Sequence, residues 1–434
     1  MSERVVTSAE QDVAEGDRWY RAGRFSEAGS AYQRALEADP GHLDALRGAG
    51  SVALLGNDLG TATTSLRRLI ERAPDSTHTV STLQNLAEAA YRRDDFPSAG
   101  AWLHRLAGLL DDDRRRQIDV VARKLEAFAG ITPYRADDGA REVRVPFEIV
   151  DPIPVVNVEV GHGKVVPFFI DTGGHETYLD RSLADELQVP TFGSTPITGA
   201  GGKQGTETHG VLNALTLGDL RIHDVPVKIM DFTALGFAEA LGGVQVKGTI
   251  GTALLYHHLS TIDYPGQALI LRPRTPDRLR SFEQQAAQER QQIVPFWLSG
   301  THYILARGAV NDSDPMPLLV DTGGAGIAFA STKSTVERAN ISLRHDDATR
   351  TPGAGGTVQA VPFALDTLTL GEVTGRNLNG VYFPEADLED ALRQDGLTRR
   401  EYSVGGIVSH QFFRPYALTF DFDGMRLFLA ASTA

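Results

Sequence analysis

Apolar residues between positions 9 and 129 recur three and four places apart, whereas beyond residue 142 they alternate with polar ones or gather into short runs. The first pattern predicts amphipathic helices and the second predicts strands. In the helical part Gly16, Ala28, Tyr32, Ala35 and Pro40 return thirty-four residues later as Gly50, Ala62, Leu66, Leu69 and Pro74. A looser third copy carries Ala87, Phe96 and Ala99, and residues 113–129 read as a closing helix with Ile118, Val121, Leu125 and Phe128 on one face. Such spacing suits stacked helical hairpins, in which small residues let paired helices approach and a proline ends the second one.

The strand pattern starts after a polar linker over 131–141. Val155 to Val160 alternates, turns at Gly161-His162-Gly163-Lys164, and returns as an apolar run, Phe168-Phe169-Ile170, that ends in Asp171-Thr172-Gly173-Gly174. A second apolar run, Leu318-Leu319-Val320, ends in Asp321-Thr322-Gly323-Gly324. Each run delivers a carboxylate to the mouth of a buried strand, where glycines let the chain turn tightly and present N–H groups to it. Leu179 to Leu187 and Ser331 to Ile341 are expected to be short helices, and Pro273 to Gln292 a polar, partly helical connector.

Asp-Thr-Gly-Gly is a good turn in its own right, but the duplication extends well beyond it. Val145-Pro146-Phe147 precedes the first Asp as Val294-Pro295-Phe296 precedes the second. After them come Gly199-Ala200-Gly201-Gly202 and Gly353-Ala354-Gly355-Gly356, then Leu215-Thr216-Leu217-Gly218 and Leu368-Thr369-Leu370-Gly371. Last, Gly248 to Leu271 runs in register with Gly406 to Leu429, pairing Thr261-Ile262-Asp263-Tyr264 with Thr419-Phe420-Asp421-Phe422. Matched landmarks in one order make an internal repeat. The expected domains are a helical domain (1–130), a linker (131–141), one lobe (142–272), a connector (273–292) and a second lobe (293–434).

Composition narrows the function. A chain of 434 residues that is 41% hydrophobic and 23% charged is an ordinary globular chain with room for two or three domains. A formal net charge of -14 argues against a general nucleic-acid binder, which needs clustered Lys and Arg. The lack of cysteine removes disulfides and Cys-ligated metal. The histidines show no metal-binding helix spacing, and no metal or other cofactor is expected. The first residues lack the apolar core, about 7 to 15 residues long, of a signal peptide, and no stretch nears the ~18 apolar residues of a membrane span. A cytoplasmic protein without membrane association is the resulting expectation. Gly199 to Gln204 is no phosphate loop, since Ile197 stands where its first glycine belongs and Gln204 where Ser or Thr is needed. His175 has Ala325 as its counterpart and reads as an exposed loop residue.

Two resemblances follow. The helical spacing resembles the tetratricopeptide repeat, which implies a surface that binds peptides or protein partners; the helices equally suit a scaffold or a dimer contact. The duplicated part resembles a bilobal aspartic peptidase, pepsin-like in its tandem lobes and retropepsin-like within each lobe. The implied fold is an α-helical repeat domain followed by an all-β bilobal aspartic-protease-like unit. The resemblance implies Asp171 and Asp321 as the catalytic pair, with Thr172, Gly173, Gly174, Thr322, Gly323 and Gly324 supporting them. It implies that Thr172 and Thr322 hydrogen-bond across the lobes. Gly199, Ala200, Gly201, Gly202 and Gly353, Ala354, Gly355, Gly356 are the implied flaps over a peptide substrate.

The chemistry also follows from the residues. Two carboxylates held about 3 Å apart cannot both ionise, so one takes a proton from water while the other polarises a carbonyl. The expected activity is therefore aspartic-type endopeptidase hydrolysis near neutral pH, with the helical domain recruiting a substrate or partner. Acid-base chemistry on a small molecule, or non-catalytic peptide binding, would use the same cleft. Two departures from the family pattern matter. Gly174 and Gly324 bring no hydroxyl to the turns, and Ser409 stands where Gly251 of the first lobe leads one to expect glycine, so the second turn's backing should be disturbed.

Overall fold

The computed structural model describes residues 7–137, 141–198, 204–232, 241, 243–353, 356–395 and 398–431. It divides into two compact units, one of residues 1–129 with 297–301 and 392–404, the other of residues 130–296, 302–391 and 405–434.

The first unit is built on α1 (Ser8–Arg21), α2 (Phe25–Ala38), α3 (Leu43–Leu55), α4 (Leu59–Arg72), α5 (Thr79–Tyr91), α6 (Phe96–Ala107) and α7 (Asp112–Glu126). Side chains from Asp58, Asp95 and Asp111 accept N–H bonds in the first turns of α4, α6 and α7, and a Thr7/Glu10 capping box starts α1. The helices are amphipathic in the expected sense, and Leu66, Ile70, Leu83, Leu86 and Leu106 join α4, α5 and α6 in one buried cluster.

Two segments that lie far along the chain complete this unit. Phe25 packs edge-to-face on Trp297 and Tyr402, with ring centroids 5.3 and 4.9 Å away. Arg92 is buried, pairs with Glu88, and donates to the carbonyls of Leu54 (2.6 Å) and Leu298 (2.8 Å). Arg47 bridges Asp17 and Glu401 at 3.1 Å each.

The second unit is organised by a six-stranded antiparallel sheet. Its strands run in the order Val143–Ile149, Ala268–Pro273, His258–Asp263, Tyr416–Asp421, Arg426–Ala431, Gln292–Ser299. At its centre Thr261 pairs with Thr419, its own counterpart in the repeat, and the two hydroxyls lie 2.7 Å apart. The duplication therefore folds as a pseudo-twofold, with one lobe rising on each side of this pair. The connector is a helix, Pro276–Gln288, whose Phe282 and Ala286 bury against Leu259 and Phe428 of the sheet.

The expected first-lobe helix is shorter than its apolar pattern suggests. Leu179 belongs to the strand Thr177–Asp180, which pairs on one side with 227–230 and on the other with 248–249, leaving Arg181–Glu186 helical. Its second-lobe counterpart is Lys333–Arg338. Arg135 and Ala136, within the expected linker, pair with His223 and Ile222. Among the described residues no helix is long and apolar enough to cross a membrane.

Candidate active site

Each aspartate stands where the buried end of a strand stops. Phe168–Ile170 pairs in parallel with Gly248–Ile250, and the Asp171 N–H still donates to Ile250 O at 3.0 Å. In the second lobe Leu319 and Val320 pair with Ile407 and Val408, and the Asp321 N–H donates to Val408 O at 3.0 Å. Apolar side chains on both faces of these strands leave the turn as the first place where a carboxylate meets the cleft.

The turns lock together through their threonines. The Thr172 N–H donates to Thr322 Oγ1 (3.1 Å) and the Thr322 N–H to Thr172 Oγ1 (3.0 Å). Each hydroxyl also donates to the far strand, Thr172 to Val320 O and Thr322 to Ile170 O, both at 3.1 Å. The grip sets the carboxylates face to face. The Gly173 N–H lies 2.9 Å from Asp171 Oδ1 and 3.1 Å from Asp321 Oδ1, so one amide serves both. The Gly174 N–H adds a bond to Asp171 Oδ1 (3.2 Å), and the Gly323 N–H one to Asp321 Oδ1 (2.7 Å). A Cβ at Gly173 would strike Asp321, and one at Gly323 would strike Asp171, which is why both positions hold glycine.

Burial pushes both carboxyls above the usual aspartate range. Asp171 rises well above it, because the neighbouring Asp321 charge and a hydrogen bond between the two carboxyls also favour its protonated form. On Asp321 the amides of Gly323 and Gly173 and the bond from Asp171 pull the other way. The two carboxyls therefore titrate as a pair, Asp171 being raised the more.

The remaining predicted residues divide between those described and those not. Gly199, Ala200, Gly201, Gly202, Ala354 and Gly355 lie outside the described residues. The arms that carry them are hairpins, Thr191–Thr198 with Gln204–Leu217 and Thr349–Gly353 with Gly356–Leu370, and Gly353 pairs with Gly356. His175 is half-buried: its carbonyl accepts the Ala253 N–H (2.8 Å) and its ring stacks on second-lobe His302 with centroids 5.3 Å apart, so the exposed-loop expectation fails.

The disturbance expected from Ser409 is also absent: its hydroxyl accepts the Gly324 N–H (2.9 Å) and donates to Asp321 O. Asp151 has no counterpart in the repeat, and its sequence neighbourhood does not mark it as a functional residue. It accepts from His410 (2.9 Å) and Arg414 (2.6 Å), and the neighbouring Pro152 O accepts the Gly326 N–H (2.8 Å), so a first-lobe loop straps the second-lobe turn. On the first of these hairpins, Glu207 binds Lys228 (2.6 Å) and Tyr178 (3.3 Å), near enough for the Asp171 charge to act on Tyr178. No group of three or more metal-ligating side chains occurs among the described residues.

Two symmetry-related strand-end aspartates, joined by a threonine grip above a six-stranded sheet, define the bilobal aspartic-protease fold. The family model described as aspartyl protease matches residues 156–254 and again 306–397, one stretch in each lobe. Each β-rich lobe is thus similar to that aspartyl protease family over the matched stretch. Among solved structures, the aspartic proteinase from Irpex lacteus is similar at 14% identity and a TM-score of 0.41, covering 68% of this chain and 98% of that one. No curated protein matches the chain at a significant level.

Proposed function

We propose that the bilobal unit is an aspartic-type endopeptidase. The observation that carries this reading is the Gly173 amide shared between Asp171 Oδ1 and Asp321 Oδ1, which brings the two carboxyls close enough to hold one proton. In the working state Asp321 is the ionised member and takes a proton from a water bound between the pair. Asp171, protonated, donates to the scissile carbonyl as the water attacks, and the tetrahedral intermediate collapses as a proton passes to the leaving amine. No covalent intermediate is needed. A pair raised by burial keeps its shared proton closer to neutral pH than exposed aspartates would.

The flap arms are suited to hold an extended peptide by backbone contacts. The helical unit is the part we assign to recruiting a substrate or partner protein. In that unit Ser299, Arg400 and Tyr402, with Arg47, Ser51, His78 and Asn85, line a pocket of about 320 Å³.

The test is intact-mass analysis of a randomised peptide library incubated from pH 4 to 8 with wild type, Asp171→Asn and Asp321→Asn. Cleavage by wild type alone supports the peptidase. Cleavage surviving in both variants would remove the dyad from the mechanism, and silence throughout would favour a small-molecule substrate.

A further inference from the structure

The two Asp-Thr-Gly-Gly turns have the same sequence but are held by different devices. In the first lobe the chain doubles back at once: the Thr252 and Ala253 N–H groups donate to Gly174 O (2.9 Å) and His175 O (2.8 Å), and Thr252 Oγ1 donates to Thr172 O (2.8 Å). That path presses against Gly251, where a Cβ would collide with the carbonyls of Glu176 and His175. In the second lobe the return is longer. The strand after the turn starts at Phe329 rather than at the position matching Thr177, and Ser409 and Gln411 donate to Ala328 O (2.9 Å) and Ile327 O (3.0 Å). The longer return leaves a gap beside Gly324, and Ser409 fills it.

We propose that Ser409 is a positioning residue, whose hydroxyl occupies the space left by Gly324 and clasps the second turn so that the Gly324 amide is withheld from Asp321. The clasp consists of the bond from Ser409 Oγ to Asp321 O and the bond from the Gly324 N–H to Ser409 Oγ (2.9 Å), with Gly324 O 3.3 Å from the same hydroxyl. The equivalent amide in the first lobe, that of Gly174, bonds to the Asp171 carboxylate instead. The hydroxyl that position 324 lacks is thus supplied from position 409, and the two residues are mutually exclusive as side-chain bearers: a Cβ on Gly324 would run into Ser409 Oγ. Because the clasp acts on main chain, it sets where Asp321 sits and how many amides its carboxylate receives without touching a substrate.

This inference rests on the peptidase reading for its catalytic arm, so the experiment has an arm that needs no substrate. Thermal unfolding is measured for wild type, Ser409→Gly, Gly324→Ser and the Gly324→Ser/Ser409→Gly double variant. The expected result is strong non-additivity: Gly324→Ser lowers the midpoint sharply, and removing Ser409 in that background recovers most of it, because the hydroxyl is returned from the other side. Additive losses would overturn the clasp whatever the protein cleaves.

On a cleaved peptide, Ser409→Ala should lower kcat about tenfold with KM little changed. It should also move the acidic limb of the kcat/KM profile down by about half to one pH unit, as the freed Gly324 amide turns to the Asp321 carboxylate. An unchanged kcat and pH profile in Ser409→Ala would equally overturn the proposal.

Discussion

Thr172 and Thr322, 150 residues apart, each give an N–H to the other's hydroxyl and a hydroxyl proton to the strand that carries the other. Both are fully buried. Replacing Thr322 by the near-isosteric Val keeps the volume but strands the Thr172 N–H and Ile170 O in an apolar setting. At about 1–3 kcal/mol for each unsatisfied group, Thr322→Val should cost roughly 2–6 kcal/mol. Thr322→Ser, which keeps the hydroxyl, should cost much less. Denaturant unfolding of the two variants checks this.

The dyad should weaken the fold where it is most ionised. Both carboxyls are raised above the ordinary 3.8, so their stabilising contribution is full below that pH and is lost as pH rises through the raised folded values. Above those values the folded protein holds buried charge that the unfolded chain exposes to water. Asp171→Asn should therefore unfold at a higher temperature than wild type at pH 7 to 8, with the gain vanishing toward pH 3.8. Its hydrolytic activity should fall by roughly 10²–10⁴-fold. Differential scanning across pH reads the first effect, and a Tm below wild type at pH 8 would contradict it.

The Asp151 strap has the opposite sign. Partial burial alone would raise the Asp151 carboxyl, but bonds from His410 and Arg414 outweigh it and hold the group below its usual range. Its contribution is present above pH 3.8 and is lost as pH falls through the depressed folded value. Because the Asp151 side chain is 48% exposed, solvent screening keeps the effect of Asp151→Asn to about 1 kcal/mol or less at pH 7. Urea midpoints for the two proteins should converge as pH falls through that depressed value.

In the helical unit, Arg92 and Glu88 are an almost fully buried pair, and Arg92 also ties α5 to the carbonyl of Leu298. Arg92→Ala would leave the Glu88 charge buried without its partner, at a cost of about 3–5 kcal/mol. Removing both charges, as in Arg92→Met/Glu88→Gln, should recover a large part of that loss. Unfolding measurements on the single and double variants decide it.

The chain's local order fixed a good deal of this protein. Apolar residues at helical spacing produced α1 to α7, because each helix buries its face against its sequence neighbours. The repeat foretold two lobes with an aspartate at the end of an apolar run in each, and it aligned Thr261 with Thr419, which only the fold brings together in the central sheet. Contacts between distant positions were decided by tertiary structure alone. Nothing local to Gly173 says that its amide serves a carboxylate 148 residues away, nor does anything near Asp151 point to His410 and Arg414. Trp297 and Tyr402 belong to the second lobe in sequence order, yet they close on Phe25. Ser409 is the clearest case: beside its repeat partner Gly251 it reads as a defect, since the sequence does not show the gap opened by a longer return of the chain. Periodicity records which face of an element is buried, whereas the room left for a hydroxyl depends on the path of a second segment, and only the folded chain sets that path.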